Sequence, residues 1–264
     1  MKPDMNTNRK DGLKWALIAC ILAIIISPLV TILSGSPNFS ALVLLPLAVV
    51  FWLIVQPGRR EVGISLGGPG YYGLAVAYPL IIMGLLMILI WRIEGISWAN
   101  MDGRRIAFVI AVNSLAGTLG VLLTEEGFFR GVVWGLLKTR NLDGRRILLF
   151  TSVAFLIWHV PVAFLEMGEG FPRSAIPIYL ANVILLGLNW GLMRLASGSV
   201  IVPALSHAVW NAIAYKFFGF GVEYGELARS SFTVLDPERG VVGIGLNAAF
   251  ALMLWALLAG RRRA

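Results

Sequence analysis

Thr124-Glu125-Glu126-Gly127-Phe128-Phe129-Arg130 sets two carboxylates and a guanidinium inside a long apolar stretch. On insertion scales a charged side chain at the centre of a bilayer costs roughly 2.5–3.5 kcal/mol. Such groups persist where they face a protein interior or a wet cavity, so the default reading is a functional site. The only two histidines of the chain, His159 and His207, also lie inside apolar segments. Acid, imidazole and amide groups held in a membrane are the materials of general acid–base chemistry on water.

Spacing assigns first roles. Neighbouring helical residues point about 100° apart, so Glu125 and Glu126 cannot share a face. Arg130 follows Glu126 by four positions and can pair with it along a helix, which leaves Glu125 to point elsewhere and act as a base. The competing reading is a buried structural ion-pair cluster, or a polar helix end. Phe155-Leu-Ile-Trp-His159 precedes Val160-Pro161, where a helix is expected to kink and open space beside the ring; the bland alternative is a packed, hydrogen-bonded histidine. His207-Ala-Val-Trp-Asn211 places an imidazole and an amide on one helical face. They can donate to one developing negative charge as an oxyanion hole does, or form an interhelical hydrogen-bond pair.

The elements that position these groups are long apolar runs. The apolar fraction of 58% and mean hydropathy of +0.81 exclude an ordinary soluble domain. The reading is all-α, a polytopic membrane helical bundle of about eight spans: Trp15 to Leu33, Ala41 to Val55, Tyr71 to Trp91, Ile106 to Leu123, Ile147 to Leu165, Ala175 to Met193, Val200 to Phe218 and Val241 to Ala259. The fourth is expected to run on to Leu137. The chain reads as a single integral-membrane domain over 1–264, with a tail at 1–14, catalytic core helices over 106–218, and a last helix with a basic tail over 241–264.

The net charge of +8 does not signal nucleic acid, because the basic residues are scattered between apolar spans. Lys2, Arg9, Lys10 and Lys14, then Arg59 and Arg60, then Lys138, Arg140, Arg145 and Arg146, then Arg194, and finally Arg261 to Arg263 alternate with the spans. The positive-inside rule then puts both termini in the cytoplasm. Arg104 and Arg105 go against it, and the opposite side carries Glu166, Glu169, Glu223, Glu226, Asp236 and Glu238. The first span is read as retained rather than as a cleaved signal, with Pro37 after the only small-residue stretch. On this map Glu125, His159 and Asn211 all lie within about 12–18 Å of the cytoplasmic surface, with His207 one turn shallower. A shared depth favours one site.

Smaller features have structural readings. Gly127, Gly131 and Gly135 form a small-residue stripe for close packing of another helix. Arg59 to Gly70 reads as a polar, Gly-rich link. Cys20, the only cysteine, excludes an internal disulfide and reads as a packed or lipid-facing thiol. Asn113, Asn182, Asn189 and Asn247 read as helix–helix hydrogen-bonding residues, and Tyr179 and Asn182 as candidate cavity walls.

Together the three motifs resemble the CAAX proteases and bacteriocin-processing enzymes, the Abi family of intramembrane proteins. The family pattern is Glu-Glu-x-x-x-Arg, Phe-x-x-x-His and His-x-x-x-Asn, met here by Glu125 to Arg130, Phe155 to His159 and His207 to Asn211. The likeness extends to Phe129-Arg130-Gly131 and to a Gly-Leu-Met-Arg194 turn before the third motif. It implies an all-helical endopeptidase, similar to the one that trims the last three residues of prenylated proteins. Glu125 would be the base. His159 would position water or protonate the leaving amine, and His207 and Asn211 would hold the oxyanion. Glu126 and Arg130, with Phe155, would support the frame. No cofactor is expected, although two histidines and a glutamate are also a zinc-type donor set; the His-Glu-x-x-His spacing is absent.

The expected partners are a peptide or lipidated protein substrate and membrane lipid, with no nucleic acid. The expected location is the cell membrane of a prokaryote. The rival functions are a non-catalytic scaffold or immunity protein of the same fold, and a proton-coupled transporter. No matched inverted halves of the kind many transporters carry are visible.

Overall fold

The computed structural model describes residues 11–35, 39–94, 101–165, 173–219, 225–227 and 234–260. Lys2, Arg9, Lys10, Pro37, Glu166, Glu169, Glu223 and Arg261 to Arg263 lie outside the described residues. Those described are helical or in connecting turns, with no strand among them. The helices are α1 (Gly12–Ser34), α2 (Leu44–Val55), α3 (Arg59–Val62), α4 (Gly70–Glu94), α5 (Gly103–Leu123), α6 (Trp134–Lys138), α7 (Gly144–Leu165), α8 (Ile176–Ser197), α9 (Ile201–Phe218) and α10 (Val241–Gly260).

Among the described residues six segments are long and apolar enough to cross a membrane, against about eight expected: those holding α1, α4, α5, α7, α8 and α10. The second expected span is only a shorter apolar helix, Ala41–Val55. The seventh, α9, carries Ser206, His207, Asn211 and Lys216 and is not among the six. It is the most enclosed in character: Trp210, His207 and Ala204 are all buried. By contrast α5 shows Phe108, Val112, Leu115, Leu119 and Leu123 to the outside. Their spacing of three and four marks one helical stripe, and an apolar stripe of that length belongs against lipid. The chain is an integral membrane protein.

The expected run of the fourth helix to Leu137 is not what forms. A straight helix from Gly103 to Lys138 would reach roughly 54 Å, well past the ~30 Å hydrocarbon core. The helix ends at Leu123, and Thr124 adopts φ −110°, ψ −101°. Glu125 and Glu126 open a new segment that continues as a π-helical stretch, Gly127–Val133, before α6. Gly127 makes the corner feasible, since a Cβ there would stand 2.1 Å from the Leu122 carbonyl oxygen. π-helical turns recur at functional sites, and this one directly follows the acidic pair and carries Arg130.

Two further expectations change. The small-residue stripe does not face a long helix. Gly131 and Gly135 pack on Val62 of α3, and Gly135 also on Pro57. The Arg59 to Gly70 segment is therefore a brace rather than a link. Val62 is buried, the Val200 N–H donates to the Gly63 carbonyl at 3.0 Å, and the Ser199 hydroxyl donates to the Ser65 carbonyl. Pro161 lies within α7, which runs on to Leu165.

The asparagines act largely as expected. Asn189 donates to the Tyr78 hydroxyl at 3.0 Å and to the Asn247 carbonyl at 3.2 Å. Tyr78 in turn donates to the Asn247 side chain, which donates to Asn182 at 3.1 Å. This ladder ties α4, α8 and α10 together where lipid offers no competing partner. Asn182 is fully buried in it and so is not a cavity wall. Cys20 is packed.

Candidate active site

The acidic pair divides as the 100° helical turn requires. Glu126 is fully buried. Its Oε1 accepts from Arg130 Nη1 at 3.3 Å and from His207 Nδ1 at 3.0 Å. Glu125 remains part-exposed, and its Oε2 stands 3.9 Å from His159 Nε2. The three motifs, carried by the π-helical stretch, α7 and α9, thus meet through two carboxylate–imidazole pairs.

Hydrogen-bond partners fix the imidazole tautomers. His159 Nδ1 lies 2.9 Å from the Phe155 carbonyl. A carbonyl only accepts, so Nδ1 carries the proton, and when the ring is neutral Nε2 presents a lone pair toward Glu125. His207 is the mirror case: its Nδ1–H donates to Glu126, leaving Nε2 to face away from that pair. The His207 ring stacks on Trp190 with centroids 3.8 Å apart and planes 12° apart, which holds its orientation.

Phe155 is the hub of the cluster. The Arg130 guanidinium sits 4.3 Å above its ring, His159 is 4.2 Å away centre to centre, and His207 lies 6.3 Å away edge-on. A desolvated cation over an aromatic face is worth about 2 kcal/mol or more, which helps hold a fully buried Arg130. Arg130 Nη2 also donates to the Gly187 carbonyl at 2.9 Å. A Cβ on Gly187 would meet that nitrogen at 3.2 Å and the Phe155 ring at 3.4 Å, so glycine permits the approach.

Asn211 stands apart from this cluster. It lies one turn beyond His207 and lines a cavity of about 820 Å³ between α5 and α9. Among the described contacts no hydrogen bond joins it to Glu125 or His159. Asn113 lines the same cavity, and Tyr179 is buried with its ring 6.4 Å from His159.

Two positioning residues escaped the sequence reading. Arg194 is not part of a turn. It sits in the last turn of α8, buried, donating from Nε to the Arg130 carbonyl and from Nη2 to the Glu61 carbonyl, each at 3.0 Å. Beyond its place among the basic residues that follow spans, it clamps the π-helical stretch to the α3 brace. Its signal was the adjacent Gly-Leu-Met-Arg context. Glu238, one of the acids expected on the outer side, accepts from Trp210 Nε1 at 2.9 Å, within the third motif, while Asn182 donates to its carbonyl at 3.0 Å. Loss of water raises the proton affinity of its carboxyl, and Asp236 adds to this, against the Trp210 hydrogen bond and Arg239. Nothing in local spacing points from position 238 to 210.

No group of three or more His, Cys, Asp or Glu positioned for a metal ion occurs among the described residues. Searches of curated proteins and of solved structures gave no match. A family model does match: type II CAAX prenyl endopeptidase Rce1-like, over residues 107–213. The matched stretch, residues 107–213, holds every residue of the three motifs.

Proposed function

We propose that the protein is a glutamate-dependent intramembrane endopeptidase that hydrolyses peptide bonds near the C-terminus of CAAX-type, prenylated tails, or of small peptides. The observation that carries this reading is the facing of Glu125 Oε2 and His159 Nε2 at 3.9 Å. Both are acceptors, and 3.9 Å is too long for a direct hydrogen bond. Two acceptors each ~2.8 Å from one water oxygen stand roughly 4–4.5 Å apart, so the pair is spaced to share a water and aim its lone pair at a carbonyl carbon.

Glu125 takes the proton as the water oxygen attacks. The carbonyl becomes a tetrahedral oxyanion, stabilised by Asn211 and by His207 Nε2–H. For that role His207 must carry a proton on both nitrogens, and the Glu126 carboxylate beside Nδ1 balances that charge as the third member of a triad does. The proton held by Glu125 then passes, directly or through His159, to the leaving amine as the C–N bond breaks. Arg130, Arg194 and Phe155 keep the frame rigid.

The proposed steps use no metal. Zinc needs three or more ligands converging at about 2.0–2.2 Å. Here His207 Nδ1 and Glu126 are turned to each other, and Glu126 is shared with Arg130. A lipidated substrate is supported by a second, apolar cavity of about 370 Å³. Trp52, Ile64, Leu122 and Val200 line it, and it abuts the π-helical stretch at Gly127 and Gly131. Cytoplasmic termini are part of the same proposal, argued from the basic residues between spans, and a prokaryotic cell membrane is proposed with them.

The test compares the small peptides and protein C-termini of membranes expressing wild type and Glu125→Gln. Fragments that depend on Glu125 are expected, and their cut sites name the substrate class. Identical profiles, with both proteins folded, would overturn the protease reading.

A further inference from the structure

The cavity between α5 and α9 has a charged far end that the catalytic cluster does not use. Asn211, Tyr215 and Lys216 line it from α9, and Asn113 and Gly117 from α5. Lys216 lies five residues beyond Asn211, roughly 7.5 Å along the helix axis. Its Nζ is paired with Glu226 Oε1 at 2.6 Å, the Lys216 side chain part-buried and that of Glu226 exposed. The pair is not incidental to a loose loop. The Glu226 N–H donates to the Lys216 carbonyl at 2.9 Å and the Leu227 N–H to the Phe217 carbonyl at 3.1 Å. That backbone pairing holds one carboxylate at the ammonium, at one end of a cavity whose other wall is Asn211.

An extended peptide advances about 3.3 Å per residue. A chain with its scissile carbonyl at Asn211 therefore reaches the Lys216 ammonium with its C-terminal carboxylate two or three residues later. A carboxylate entering a cavity between membrane helices needs a cation and hydrogen bonds to replace water. Lys216 supplies both on a flexible stem. Resting on the protease reading above, we infer that Lys216 binds the free C-terminal carboxylate of the tail. Glu226 holds that position until the tail arrives, then turns outward. The site thereby measures the distance from the cut to the chain end and selects true C-termini over internal segments.

The test measures binding in the full-length Glu125→Gln chain in detergent micelles, where no turnover intervenes. The probe is a fluorophore-tagged tetrapeptide, an S-farnesyl cysteine followed by three aliphatic residues, made with a free C-terminal acid and with a C-terminal amide. The acid is expected to bind roughly tenfold more tightly than the amide, the scale of one charge-assisted hydrogen bond. Adding Lys216→Gln should abolish that difference by weakening the acid alone. Adding Glu226→Gln should tighten the acid and leave the amide unchanged, which reads the same site without touching the lysine. Equal binding of acid and amide, or parallel loss of both in Lys216→Gln, would overturn the assignment while leaving the protease reading standing. Failure of the parent chain to bind either probe would overturn the assignment together with the prenylated-tail form of the protease reading.

Discussion

Glu125 and Glu126 are adjacent in the chain and occupy opposite environments. Glu126 is sealed from solvent with its Oε1 engaged by Arg130 and His207. Glu125 is part-exposed, with its Oε2 3.9 Å from His159 Nε2. The same residue type thus serves as a fixed counter-charge on one side of the segment and as a group able to accept a proton on the other. Role follows from desolvation and partners rather than from chemistry of the side chain, and one 100° step of a helix is enough to separate the two.

The contrast breaks most visibly at Glu125. Glu125→Gln keeps shape and is expected to lower turnover by roughly 10²–10⁴-fold, the range for a general base, with an unchanged melting temperature. A Glu125→Gln protein that cleaves at full rate would dissolve the division of labour. Arg130→Ala strikes the sealed side. Leaving Glu126 buried without its cation should cost about 3–5 kcal/mol of stability, seen as a lower melting temperature in detergent; no change would remove the pairing from the account.

Gly127→Ala tests the corner on which both environments depend. Its Cβ would meet a backbone oxygen, which cannot rotate away, so a loss of roughly 1–3 kcal/mol is expected, as for overpacking. An unaffected protein would mean that the corner tolerates a side chain.

The smallest effect is expected at Glu238, which carries the comparison to a third carboxylate. Its proton affinity in the folded protein is raised, chiefly by burial. The folded state therefore holds this proton more tightly than the unfolded chain. That contribution to stability is full below the ordinary glutamate range and is lost as pH rises through the raised value. Glu238→Gln should flatten the fall in melting temperature across that window. A pH profile identical to wild type would show that folding leaves the proton affinity of Glu238 unchanged.

Local features were legible and long-range ones were not. The Glu126–Arg130 pair follows from four-residue spacing, and the asparagine ladder from the need of polar groups in lipid for protein partners. The bend at Thr124 has no marker in helical spacing, because charges at 125 and 126 fit a continuing helix as well as a new one; only total length argues against a straight helix. Arg194 was misread because a basic residue at the end of an apolar run looks the same whether it meets water or a buried carbonyl. Glu238 lay hidden because its partner, Trp210, is on another element.

By itself the sequence determined that the chain lives in a membrane as helices, and which seven residues carry the three motifs. Apolar run length and helical spacing are local quantities, set by backbone geometry and by what lipid excludes. Tertiary structure alone decided which imidazole each glutamate meets, that Arg194 and α3 brace the π-helical stretch, and that Lys216 and Asn211 share a cavity. Those choices depend on how side chains far apart in sequence fill a common volume, and packing of that kind has no period to read along the chain.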